Sequence, residues 1–197
     1  MTERGLVVLK EIYLLLTDTH SLLSRFIKIF NRQKFNHISV SLDEDLAELY
    51  SFGRKKPTNP FNGGFINEDV TTPFYRNADC KIYRCEVTDD QYASLIKAIA
   101  AFQSEQDAYH YNLLGLATAF FGIDWNRKHH YFCSEFVSCV LHAGTILESE
   151  EPDSLTRPQD IIQHLVVHPI YEGILGEYPG IGVHRLMLEH TLEHTVI

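Results

Sequence analysis

The chain has 197 residues, 45% of them hydrophobic, which is enough for one domain with its own core. Its net charge is −9, from 17 Lys and Arg against 26 Asp and Glu, the wrong balance for a surface that tracks phosphates, so nucleic acid is not an expected partner. No apolar run approaches the ~20 residues of a membrane span, and the opening residues lack the basic start and apolar stretch of a secretory signal, so a cytoplasmic chain with reduced cysteines is expected.

In chain order, residues 7–16 form an apolar run that predicts a buried strand. Leu22, Leu23, Phe26, Ile27 and Phe30 then line one face of a helix that Ser21 or Thr19 can cap. Residues 37–42 alternate with period two, as in a half-buried strand. After a turn at 43–45, residues 46–52 predict a second strand, and the two form a hairpin. Residues 53–73, with their prolines, glycines and basic Arg54-Lys55-Lys56, are expected to be a long surface loop. A strand over 81–87 leads into Thr88, which with Gln91 makes a capping-box signal; the helix behind it directs Tyr92, Leu95, Ile96, Ile99 and Phe102 inward. Short helices are expected at 112–121 and 133–142, an acidic surface turn at 148–153, and a helix opening at Arg157-Pro158 with proline at its first position. Strand-like runs follow over 166–188, and the tail 189–197 is expected to be loose. No repeat or linker divides the chain. One α+β domain over 1–197 is expected, with helices packed on a mixed or antiparallel sheet.

Among chemically capable residues, Cys133 stands out. It opens a helix directly after a polar stretch, where unpaired backbone N–H groups and the positive end of the helix dipole favour thiolate over thiol. The same N–H groups can hold an oxyanion. The competing reading is a buried cysteine that merely starts a core helix. A thiolate nucleophile needs an imidazole. His37 is the best placed of 11 histidines because it opens a strand, which holds a ring rigidly. The next strand offers Glu48, Tyr50 and Ser51 as groups to orient that imidazole, Glu48 being the strongest acceptor. No paired C-x-x-C, H-E-x-x-H or phosphate-cradling glycine loop occurs, so no metal or cofactor is expected. Cys80 and Cys85 are expected to pack in or beside a strand, and Cys139 lies on a different helical face from Cys133.

Taken together, Asn36-His37-Ile-Ser-Val-Ser, Glu48-Leu-Tyr-Ser-Phe-Gly53-Arg54 and Tyr131-Phe-Cys133-Ser-Glu-Phe-Val137 resemble the circularly permuted NlpC-type papain-like cysteine hydrolases, a group that includes YiiX-like proteins and the lecithin–retinol acyltransferase relatives. His37 precedes Cys133, which is the permuted order, and the resemblance covers roughly residues 10–180. It implies a papain-like α+β fold in which Cys133 is the nucleophile, His37 the base and Glu48 the third polar residue, with Tyr131, Ser134 and Tyr50 on the substrate side. The implied reaction is cleavage of an amide (peptide, isopeptide or cell-wall-type) or ester bond through a thioacyl intermediate. A lipid acyl transfer, or a ligand- or partner-binding module without turnover, are the alternatives on the same fold.

Overall fold

The computed structural model describes residues 9–18, 33–54, 63–119, 122–124 and 127–181. The helix expected around 22–30, its cap at Ser21 or Thr19, and the tail 189–197 lie outside them.

A six-stranded antiparallel sheet organises the molecule, in the order Gly63–Asn67 (β4), Leu49–Arg54 (β3), His37–Ser41 (β2), Leu9–Asp18 (β1), Asp79–Thr88 (β5), His168–Ile174 (β8). Its centre is β1 (Leu9–Asp18), whose apolar run is buried on both faces. Ile12, Leu14 and Leu16 face the helices, whereas Tyr13 and Leu15 join a second core on the far face. That burial on both sides is why β1 reads as a continuous apolar run. On one side β1 pairs with β2 (His37–Ser41), Thr17 standing opposite His37; on the other it pairs along its whole length with β5 (Asp79–Thr88). β8 (His168–Ile174) completes that edge.

The expected β2–β3 hairpin forms, but β3 is Leu49–Arg54 and starts three residues later than its apolar pattern predicts. The Asp43 carboxylate accepts the backbone N–H groups of Ala47 (2.8 Å) and Glu48 (2.7 Å), and Leu46 takes a left-handed φ of 59° while its side chain is buried. A wider turn therefore replaces the first turn of ladder. The expected surface loop after β3 also needs correction. Gly63–Asn67 forms β4, which pairs with β3 as the other edge of the sheet. Gly63 and Gly64 are strand residues here: a Cβ on Gly63 would stand 2.7 Å from the Gly53 carbonyl oxygen and 2.7 Å from Tyr111 Cβ, so only glycine permits this approach.

A short α1 (Pro73–Arg76) lies by the second core, against which Tyr75 packs. The longer helices cover the other face, beginning after β5 with α2 (Asp89–Ser104). The Thr88–Gln91 capping box forms as expected. Leu95, Ile99 and Phe102 point inward, but Ile96 is 39% exposed, because the buried stripe of α2 is narrower than its apolar pattern. After a two-residue β6 (His110–Tyr111) come α3 (Leu113–Ala119), a two-residue β7 (His130–Tyr131) parallel to β6, and α4 (Cys133–Ala143). α4 is the most buried helix described: Phe136, Val137, Val140 and Leu141 pack into the core it shares with Ile38, Val40, Phe52 and Phe65. A 3-10 turn (Asp153–Leu155) and α5 (Pro158–His164), with proline at its start, brace it. Cys80 and Cys85 are buried in β5, and all four cysteines are free thiols. No helix among the described residues is long and apolar enough to cross a membrane.

Candidate active site

His37 is the first residue of β2, and Cys133 is the first residue of α4. Ile38 and Val40 face the helices, so Ser39 is turned to the opposite side of the sheet. At the strand's end the His37 ring has partners on both sides. The Cys133 thiol at the start of α4 stands close enough to raise its proton affinity, and a carboxylate holds it from the far face.

That carboxylate belongs to Glu68, the residue after β4. Glu68 Oε1 lies 2.6 Å from His37 Nε2, which leaves Nδ1 as the ring nitrogen open to the thiol. Glu68 is completely enclosed (side chain 0% exposed) while the imidazole keeps 17%. Two hydroxyls complete its shell: Ser51 Oγ donates to Oε1 at 2.5 Å, and Ser39 Oγ donates to Oε2 at 2.8 Å. Ser39 Oγ also lies 3.3 Å from His37 Nε2. A buried carboxylate is tolerated only when paired and hydrogen-bonded in this way.

The electrostatics follow from that enclosure. Burial opposes a charge on His37, but the negative charges of Glu68 and Cys133 and hydrogen bonds to both outweigh it, lifting the imidazole from 6.5 to about 10. Burial likewise opposes a charge on Glu68. The His37 charge and the bonds from His37, Ser51 and Ser39 overcome it, so its carboxyl is held below the ordinary range. Both groups are therefore ionised at neutral pH, and the ring is an imidazolium that faces the sulfur.

The structure brings His37 and Cys133 together but corrects the third member. Glu48 is exposed in the β2–β3 turn, its backbone tied to Asp43, Leu42 and Ser41, and Glu68 occupies the place expected for it. The wider turn moves Glu48 out of the strand, and β4, hidden inside the expected loop, delivers Glu68. Ser51, one of the three acceptors considered, does take part, as a donor to Glu68. Tyr50 points the other way, into the core, with its ring stacked on Phe65 at 6.0 Å. Ser134, also expected on the substrate side, is buried and donates to the Thr156 carbonyl at 2.7 Å, which ties the first turn of α4 to the chain leading into α5. Tyr131 is half-buried, and its ring packs against Phe52 and Phe102, each at 5.2 Å. Sequence reasoning missed Glu68 and Ser39. The available signal for Glu68 was an acid directly after the short run Gly63-Gly64-Phe65-Ile66, which can pair with the preceding strand.

Cys133 is 3% exposed. Its backbone N–H and that of Ser134 belong to the first turn of α4, where no intrahelical carbonyl precedes them. Among the described residues no group of three or more His, Cys, Asp or Glu side chains is arranged to hold a metal. No family model matches the chain, and a search of curated proteins finds no match.

Proposed function

We propose that this protein is a cysteine hydrolase of the permuted papain-like kind, acting on an amide or ester bond. The observation that carries the reading is one thiol at a helix start, close enough to act on an imidazole whose Nε2 is gripped by the enclosed carboxylate of Glu68. The order of elements, histidine strand before cysteine helix, matches the permuted arrangement implied by the resemblance.

In this mechanism the Cys133 sulfur attacks the substrate carbonyl carbon and a C–S bond forms. The carbonyl oxygen becomes an oxyanion that accepts hydrogen bonds from N–H groups of the first turn of α4. The tetrahedral species collapses, the C–N or C–O bond breaks, and His37 gives its proton to the leaving amine or alcohol. Water then attacks the thioester, His37 takes its proton, and the acid leaves as the thiolate–imidazolium pair returns. An acyltransferase differs only in the acceptor of this last step. Glu68 holds the ring in one orientation throughout and stabilises its charged form.

The test is to trap the intermediate. The protein is incubated with a p-nitrophenyl acyl ester, quenched in acid, digested and mapped by mass. The expected result is one acyl group on Cys133, reduced roughly 10²-fold in rate in His37→Ala. Acylation spread over the other cysteines, or persisting unchanged in His37→Ala, contradicts the reading.

A further inference from the structure

Glu135, two residues past Cys133, is a carboxylic acid enclosed at 1% exposure at the third position of α4. Its Oε2 accepts the backbone N–H of Phe132 at 3.3 Å. Phe132 is the residue at which the chain turns from the extended β7 into α4, with φ −114° and ψ 174°. That turn carries both the Cys133 sulfur and the N–H groups assigned to the oxyanion. The carboxyl of Glu135 thus closes a ring across the one peptide whose orientation decides where the thiol stands relative to His37.

Among the described residues, the charges that act on Glu135 are those of other carboxylates. Asp153, from the 3-10 turn, is engaged by Ser138 Oγ (2.5 Å) and His142 Nδ1 (2.7 Å), and Asp124 by Ser154 Oγ (2.6 Å). Among the described residues, Tyr131 and the Cys139 thiol also feel the Glu135 charge. We propose, resting on the thiol-hydrolase reading, that Glu135 is a positioning residue for Cys133: through the Phe132 N–H it fixes the backbone that sets the thiol against His37. Misplacement of a reacting atom by about 1 Å costs roughly 10²-fold in rate, so a slack first turn is enough to disable the site.

A pH signature separates this role from simple packing. Burial first, then the charges of Asp153 and Asp124, push Glu135 up to about 8, against the opposing Phe132 bond. Below that pH the Glu135 carboxyl is neutral and bears no charge on the start of α4. Above it a carboxylate competes for the same dipole and N–H groups. Cys133 alkylation should therefore show a step near pH 8, well before His37 loses its proton at about 10.

The experiment is the rate of Cys133 carbamidomethylation from pH 6 to 10 in wild type, Glu135→Gln and Glu135→Ala, with thermal unfolding of each as the check on folding. Glutamine can still accept the Phe132 N–H but cannot ionise. The expected result at pH 7 is Glu135→Gln within about twofold of wild type and Glu135→Ala roughly tenfold slower or more, with the step near pH 8 present in wild type and absent from Glu135→Gln. Should Glu135→Ala fail to fold, the step and its loss in Glu135→Gln decide alone. A fast wild type with an unaffected Glu135→Ala, a Glu135→Gln as slow as alanine, or the same step in Glu135→Gln overturns this inference alone. A wild type no faster than a free cysteine peptide at every pH overturns the parent reading and this one with it.

Discussion

Glu68 shows how much one buried carboxylate does. It carries a charge without solvent because three donors converge on it: His37, Ser39 and Ser51. Glu68→Gln keeps the shape and removes the charge that helps hold the imidazole high. The His37 titration followed by NMR should move down from about 10, and thioester formation should slow roughly 10²-fold. An unmoved titration contradicts the assignment. Glu68→Ala removes the carboxylate partner of the largely buried imidazolium and should cost about 3–5 kcal/mol of stability. Across the ladder from His37, Thr17 Oγ1 is buried with no hydrogen-bond partner among the described residues. An orphaned hydroxyl of this kind costs about 1–3 kcal/mol. Thr17→Val, which suits a strand equally well, should raise the unfolding midpoint, and a lowered midpoint shows that the hydroxyl is used.

At the scale of elements, the strand and helix that bear His37 and Cys133 were legible in the sequence because their signals are local. The alternation from His37 to Ser41 and the apolar stripe Phe136, Val137, Val140, Leu141 each name their own period. β4 was not legible, since Gly63 and Gly64 read as turn residues, and they are needed in a strand only because the Gly53 backbone and Tyr111 come so close. That contact is non-local, so no window of sequence reports it, and Glu68 was lost with the strand that carries it. Glu48 failed for the opposite reason: its strand was extended backward by pattern, whereas the Asp43 side chain captures the Ala47 and Glu48 amides and keeps the chain in a turn. Gly63→Ala tests the importance of this edge. The added methyl meets backbone, which cannot swing aside. It should cost about 1–3 kcal/mol and slow Cys133 alkylation by displacing Glu68. Unchanged stability and rate would mean that β4 does not position the carboxylate.

For the whole molecule, three buried ionisable groups set a pH window. Glu68, held low, contributes stability that is present above the ordinary carboxylate range and lost as pH falls through its depressed value. His37, raised from 6.5 to about 10, contributes stability that is complete below 6.5 and lost as pH rises through about 10. Glu135, raised from 4.5 to about 8, contributes in full below 4.5 and loses its share as pH rises through about 8. Together they place maximal stability in mildly acidic solution, just above the ordinary carboxylate range, with a decline through neutral pH, and denaturant midpoints measured from pH 3 to 10 should follow that course. A midpoint still rising at pH 9 contradicts these assignments.

The four thiols divide in the same way. Burial pushes Cys80 up to about 12 and Cys85 and Cys139 up to about 11, whereas Cys133 alone faces an imidazolium. The most direct measurement is therefore competitive labelling of the folded protein with limiting iodoacetamide at pH 7, read by peptide mass. The expected result is label on Cys133 almost alone in wild type, with that preference lost in His37→Ala. Equal labelling of all four cysteines, or a preference that survives removal of the imidazole, would contradict the thiolate–imidazolium pair on which the proposed chemistry depends.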